Sequence, residues 1–294
     1  MNNITTISGL ELLHKNYDIF ILDQWGVMHD GQKGYKNAID CVKKLKELNK
    51  KLIIISNSSK RNESTILRLP KLGFDSSNFV EVMTSGEMIW QSLINENYTQ
   101  TKNLGKKCFN IYDETNEDGK KYLRGLEKFD FVDNVKDADF ILACTPFANK
   151  KVVDFIPLLN TAKNKNLLFI CANPDFDTIE KNSNKNAFCM GTIAELYKNM
   201  GGQTLILGKP SVEIYKHVLS GFLNIDKSRI LAIGDSLHHD IKGAINFGID
   251  SLLVTSTGIH QDYFDKNKPI WESNKNSLKK LDIQPTYLCS DLSF

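Results

Sequence analysis

The sequence predicts an α/β protein: a doubly wound parallel sheet with a second α/β domain inserted into it. Three observations carry that expectation. Short, uninterrupted apolar runs rich in β-forming residues recur along the chain, and stretches of helical hydrophobic period lie between them. The chain, at 294 residues, is also too long for one small core. Uninterrupted apolar strands fit a sheet covered by helices on both faces, which is where parallel strands occur.

Taken in order, YDIFIL (17–22) reads as a buried strand that ends abruptly at Asp23, with Gly26 close behind. The turn HDGQKG (29–34) follows, and then Ala38, Ile39, Val42, Leu45 and Leu48 recur at helical spacing before a second strand, KLIIIS (51–56). This is a βαβ unit. A later block repeats the pattern: strand TLILG (204–208), a helix from Ser211 to about Phe222 with Ile214, Val218 and Leu219 on one face, strand RILAIGD (229–235), a helix, and strand SLLVTSTG (251–258). Between them, KKCFNIYD, DFILACT and NLLFICAN form a further α/β-like stretch long enough to be its own domain. The expected organisation is a core of residues 1–86 and 201–294 with an insert at 87–200. Ligands of such sheets bind outside the carboxyl ends of the strands, and Asp23, Ser56, Lys209 and Asp235 all fall at or just past such ends.

Composition narrows the function. Hydrophobic residues make up 41% and charged residues 24%, so the chain can bury a core. The formal net charge is only +2 and the lysines are scattered, which argues against nucleic acid as a partner. The Lys/Asn-rich runs KKLKELNKK and KNSNKN read as a solvated helix face and a loop tip. Six widely spaced cysteines without a CxxC pair, and no signal-like start before the first apolar strand, point to reduced thiols in the cytoplasm. No apolar run approaches the ~20 residues that a membrane-spanning helix needs.

Four short segments carry chemistry. Asp23 lies in DQWGVMHDG after the first strand, Ser56 opens SNSSKR after the second, Lys209 lies in GKPS, and Asp235 and Asp240 lie in GDSLHHD. Singly, an Asp at a strand end reads as a helix cap and a Lys before Pro as a surface residue. Four such groups at successive strand ends do not arise from capping alone. Their order resembles the four motifs of the haloacid dehalogenase (HAD) superfamily, whose core is Rossmann-like. The resemblance is closer to its class IIA branch of N-acetylglucosamine-phosphate phosphatase-like and nitrophenyl-phosphatase-like hydrolases. TSGE (84–87), ANPD (172–175), GTIAELYKNMGG (191–202), GKPSVEIY (208–215) and VTSTG (254–258) extend that resemblance over nearly the whole chain.

The resemblance implies a phosphatase or phosphotransferase acting on a small phosphorylated metabolite, with the insert as a cap that excludes water and large substrates. It also leaves room for a homodimer through the cap. It implies Asp23 as the nucleophile that becomes phosphorylated, and Mg²⁺ held by Asp23, the backbone carbonyl of Trp25 and Asp235 in an all-oxygen set. Asp240 would stand behind the metal, orienting a bound water or pairing with Lys209. Ser56 and the N–H groups after it would hold a phosphoryl oxygen, with Asn57 a candidate both for phosphate binding and for fixing the loop after strand one, and Lys209 would bind phosphate and stabilise the nucleophile and the transferring charge. Asn173 and Asp175 in ANPD correspond to a segment near the active-site mouth, although N-P-D is also an ordinary turn signal. His29, His238 and His239 lie near motif residues and are candidates for proton transfer.

One position departs from the family. Its phosphatases carry an aspartate two residues after the nucleophile as general acid and base, and here that residue is Trp25. An indole N–H cannot take over that role at neutral pH. An aromatic at this place resembles the superfamily's dehalogenases, whose halide needs no proton, yet they dispense with Mg²⁺ and with the GDxxxxD carboxylates. A dehalogenase-type hydrolase and a non-catalytic phosphate-binding regulatory protein therefore stand as the alternatives.

Overall fold

The computed structural model describes residues 4–95, 98–113, 115, 117–147, 149–177, 188–222, 224–261 and 282–294. Its strands are β1 (Thr5–Thr6), β2 (Ile19–Leu22), β3 (Lys51–Ser56), β4 (Phe79–Thr84), β5 (Lys107–Ile111), β6 (Asp130–Phe131), β7 (Phe140–Ala143), β8 (Leu168–Cys171), β9 (Gln203–Ile206), β10 (Ile230–Gly234), β11 (Asp250–Val254) and β12 (Tyr287–Cys289). The α-helices are α1 (Lys36–Glu47), α2 (Asn62–Arg68), α3 (Ser85–Ile94), α4 (Glu117–Tyr122), α5 (Ile156–Asn164), α6 (Met190–Asn199), α7 (Val212–Val218) and α8 (Lys242–Phe247). Chain contacts divide into two compact units. One holds Met1–Ser56, Glu63–Met83 and Lys209–Phe294; the other holds Asn57–Asn62 and Thr84–Gly208.

The first unit is built on a seven-stranded sheet of order β1-β12-β11-β10-β2-β3-β4, parallel from β1 through β3. All four residues of β2 are buried, so the strand is covered on both faces, as its unbroken apolar run requires. Phe20 and Leu22 share one apolar cluster with Ala38, Cys41, Val42 and Leu45 of α1, Leu52 and Ile54 of β3, and Leu231 and Ile233 of β10. Lys43, Lys44 and Lys46 lie on the opposite, exposed face of α1, so the first lysine-rich run is a solvated helix face. The second, at 181–186, lies outside the described residues. From β2 the chain winds outward through β3 and β4, then returns to the other side of β2 as β10 and winds outward again. The carboxyl ends of β2 and β10 therefore flank the point where strand order reverses, the usual ligand crevice of open parallel sheets.

The second unit holds a five-stranded sheet of order β6-β5-β7-β8-β9, with every pair parallel. Ile111, Ile141 and Phe169 pack with Leu159 of α5 and Ile193 and Tyr197 of α6 in its core. One element reading needs correction. The apolar run at 204–208, expected to open the second half of the core, forms β9, which pairs with β8 in the register Leu168↔Gln203. An apolar run reports burial in a sheet but not which sheet. The helix expected to reach Phe222 also ends early, at Val218, before the poor helix formers Ser220 and Gly221. No helix among the described residues is long and apolar enough to cross a membrane.

Candidate active site

The register of the first sheet sets the site. Leu22 lies opposite Ile54 and Ile233, so Asp23, Ser56 and Asp235 each follow that level by one or two residues at the carboxyl edge. The backbone N–H of Asp23 donates to Ile233 O at 2.9 Å, which ties the first acidic residue to the strand that delivers the second. Past β10 the chain makes a π-helical turn, Leu237–Ile241, that brings Asp240 back beneath the strand end. There its Oδ2 accepts the Ser236 N–H at 3.1 Å. Ligand atoms of Asp23, Asp235 and Asp240 consequently lie within 4.8 Å of one another, and all three residues are buried. Lys209, itself only 3% exposed, places Nζ 2.6 Å from Asp23 Oδ1 and 2.6 Å from Asp240 Oδ1.

Three glycines make this crowding possible. A Cβ on Gly234 would stand 2.0 Å from the Asp240 carboxyl carbon, and one on Gly258 would stand 2.1 Å from Asp235 Cβ. Gly26, at φ +77°, adopts a left-handed conformation that glycine tolerates, and a Cβ there would meet Asp235 Oδ2 at 2.2 Å. The VTSTG segment closes the same corner. Thr257 Oγ1 donates to Gly26 O at 2.6 Å, and the N–H of Ile259, the residue that follows the segment, donates to Asp235 Oδ2 at 2.8 Å. Sequence reading used VTSTG as a family mark and missed this role, because nothing local to residues 254–258 names the carboxylate they enclose.

Burial, with Asp23 and Asp240 beside it, drives the Asp235 carboxyl well above the usual carboxylate range, and Lys209 and the Ile259 N–H offset this only in part. Three buried carboxylates facing one lysine are two positive charges short of balance. An all-oxygen donor set with that deficit fits a hard divalent cation such as Mg²⁺.

Trp25 is half-buried and held by its neighbours. Its ring meets His29 edge-on at 5.2 Å between centroids, and the Arg68 guanidinium lies 5.5 Å over it. Gly31 must lack a side chain, since a Cβ would fall 2.2 Å from the indole ring. His29, a candidate above for proton transfer, is not suited to act as an acid. It is 2% exposed, its Nδ1 accepts the Gly31 N–H at 3.1 Å, and burial, with Arg68 nearby, pushes its pKa down to about 4. The ring is neutral at pH 7 with its proton on Nε2, and giving that up would leave an imidazolate. His239 meets Ser236 Oγ through Nδ1 at 3.0 Å, whereas His238 is exposed.

The remaining candidates gather in the second unit. Asn57, the residue after Ser56, donates from Nδ2 to Asp175 Oδ1 at 2.8 Å, and Asn173 Oδ1 accepts the Asp175 N–H at 3.2 Å. N-P-D is thus a turn, as its composition allows, and also the partner of Asn57. Gly191 sits against it so closely that a Cβ would lie 2.1 Å from Pro174 O.

Comparison with known proteins bears on the family of the chain. A family model described as haloacid dehalogenase-like hydrolase matches residues 20–126, and a second, HAD-hydrolase-like, matches residues 206–293. The chain is 24% identical over 277 residues to a 4-nitrophenylphosphatase of Schizosaccharomyces pombe, covering 86% of this chain and 89% of that one. It is 23% identical over 284 residues to an acid sugar phosphatase of Staphylococcus saprophyticus, covering 95% and 96% respectively. Among solved structures, a haloacid dehalogenase-like hydrolase from Brucella suis superposes with a TM-score of 0.79 at 27% identity, covering 97% of this chain and 99% of that one.

Proposed function

The chain belongs to the haloacid dehalogenase-like hydrolases, and from that premise we propose that it is a Mg²⁺-dependent phosphatase or phosphotransferase working through an aspartyl-phosphate at Asp23. Its substrate in this reading is a small phosphorylated metabolite. The names of its relatives, a 4-nitrophenylphosphatase and an acid sugar phosphatase, make aryl and sugar phosphates the first esters to try. The observation that carries the reading is the Lys209 ammonium, 2.6 Å from both Asp23 and Asp240 at the switch point of the sheet.

Asp23 attacks phosphorus, the ester oxygen leaves, and water or another acceptor later removes the phosphoryl group from the carboxylate; two easier displacements replace one hard one. Lys209 holds the attacking carboxylate in place and offsets the charge that gathers on the transferring group. Ser56 and Asn57 hold phosphoryl oxygens. Asp23, the Trp25 carbonyl and Asp235 would hold Mg²⁺, which when bound supplies the neutralisation that lets an anionic nucleophile meet an anionic phosphoryl group. Asp240 keeps Lys209 aligned. With Trp25 where an acid is expected and His29 neutral, the leaving oxygen departs with little help, so good leaving groups are favoured.

A screen of small phosphate esters with Mg²⁺ present and absent tests this. Metal-dependent release of phosphate, fastest from aryl and acyl phosphates, is the expected result. Halide release without added metal would replace the reading with a dehalogenase, and phosphate binding without turnover would replace it with a regulatory protein.

A further inference from the structure

Within the second unit, the start of α3 grips the segment that follows β3 along its whole length. The Gly86 N–H donates to Ser58 O at 3.0 Å, Thr84 Oγ1 donates to Lys60 O, and the Thr84 N–H donates to Asn62 Oδ1 at 3.1 Å. A Cβ on Gly86 would lie 2.1 Å from Ser59 O, so the contact is backbone against backbone. Glu87 anchors the grip. Its Oε2 accepts from Arg61 Nε at 2.6 Å and from the Asn62 N–H at 3.2 Å, and its Oε1 accepts from Arg61 Nη2 at 3.3 Å and from Gln91 Nε2 at 3.1 Å. Arg61 is held on its flat side as well, with its guanidinium carbon 3.4 Å from the centroid of the Trp90 ring.

Glu87 is not serving the helix. Thr84-Ser-Gly-Glu87 has the spacing of a capping box, in which the glutamate reaches back to the N–H of the capping threonine. Half of that box is present, since Thr84 Oγ1 accepts the Glu87 N–H at 2.9 Å. The other half is diverted: Asn62 Oδ1 takes the Thr84 N–H, which leaves both Glu87 oxygens for Arg61, Asn62 and Gln91. Only 6% exposed, the carboxylate is committed to a segment more than twenty residues earlier in the chain.

We propose that Glu87 is a positioning residue for phosphate binding: by fixing Arg61 and Asn62 it sets the path of the segment that begins at Ser56 and Asn57. This rests on the phosphatase reading above, in which those two residues hold phosphoryl oxygens. A bidentate, charge-assisted pair on a stacked guanidinium defines position more tightly than single hydrogen bonds do. Its loss therefore loosens the segment without touching the nucleophile.

The test is Glu87→Gln, which keeps the shape of the side chain, with two measurements. In amide hydrogen exchange, Asn62, Thr84 and Gly86 should lose protection while the amides of β7 keep theirs, which also shows that the variant is folded. With 4-nitrophenyl phosphate, KM should rise roughly ten-fold while kcat changes little. Adding Arg61→Ala should raise KM less in Glu87→Gln than it does in the parent, because the pair it would break is already lost. Unchanged protection overturns the proposal, and so does lost protection with an unchanged KM. If the wild-type chain does not hydrolyse the ester, the phosphatase reading fails by itself; the exchange result then decides separately whether Glu87 fixes the segment.

Discussion

Lys209 Nζ stands 2.6 Å from Asp23 Oδ1 in a setting where both residues are buried, so the proposed nucleophile is paired with a cation largely out of solvent. Asp23→Asn should abolish phosphoryl transfer in a steady-state assay while leaving circular dichroism and the melting temperature near those of the parent. The amide keeps the shape and one acceptor for Lys209 but is a very poor nucleophile. Lys209→Met is expected to be worse for the fold. It strands the Asp23 and Asp240 carboxylates, and breaking a buried pair in this way costs about 3–5 kcal/mol. A Lys209→Met protein as stable as the parent would contradict that electrostatic account.

Asp235 and Asp240 should respond differently to amidation. Burial, with two other carboxylates beside it, pushes the Asp235 carboxyl up, so Asp235→Asn relieves both penalties and should raise the melting temperature in chelator. It should also erase most of the further rise that Mg²⁺ brings. Asp240 spends Oδ1 on Lys209 and Oδ2 on the Ser236 N–H, so Asp240→Asn should lower stability in chelator yet retain a Mg²⁺-dependent rise. Melting curves with and without Mg²⁺ check both. Equal Mg²⁺ responses in the two variants would mean that the roles assigned to the carboxylates are wrong.

How much of this was legible in the sequence depends on distance along the chain. The strand-end position of Asp23 is readable because an apolar run ends at it, and that of Asp235 because RILAIG does the same; strand and candidate residue are contiguous. The two-residue β1 and the three-residue β12 went unread, since two or three residues show no period. β9 was placed in the wrong sheet because its partner β8 lies more than thirty residues earlier, and pairing leaves no local mark. The same holds for Gly234 and Gly258, whose missing side chains matter only because Asp240 and Asp235 fold back against them. Glu87 misleads more actively, since its capping-box spacing hides a partner that only the fold supplies.

Glu87 also gives a pH dependence. Burial by itself would raise its pKa, but hydrogen bonds from Arg61, the Asn62 N–H and Gln91 outweigh that and hold the carboxyl below its ordinary value of 4.5. A group with a depressed folded pKa contributes stability that is present above the unfolded value and is lost as pH falls through the folded one. Melting temperatures taken from pH 7 down to pH 3 should therefore fall more steeply for the parent than for Glu87→Gln, with the excess confined to the region below about pH 4.5. Parallel curves would show that the carboxylate is not held in this way.

Trp25 is the position where chemistry and packing make competing demands. Its ring fills the space between His29, Gly31 and Arg68, so Trp25→Asp both introduces a carboxyl group and empties a site the size of an indole. The new carboxyl would lie near the Arg68 guanidinium, which would hold it ionised and leave it no proton to donate at neutral pH. Trp25→Asp alone should thus gain little on alkyl phosphates. Trp25→Asp with Arg68→Gln removes that cation, and positioned acid catalysis is typically worth ~10²–10⁴-fold. The double variant should close part of the gap between alkyl and aryl esters, with rates on 4-nitrophenyl phosphate nearly unchanged, since a phenolate leaves unaided. The parent should also accumulate more aspartyl-phosphate than the double variant in a short-time phosphorylation assay, because the water that attacks it lacks a base. A parent that cleaves alkyl and aryl esters equally fast, with chemistry rate-limiting, would mean that another group already delivers the proton, and the neutral, buried His29 would not be that group.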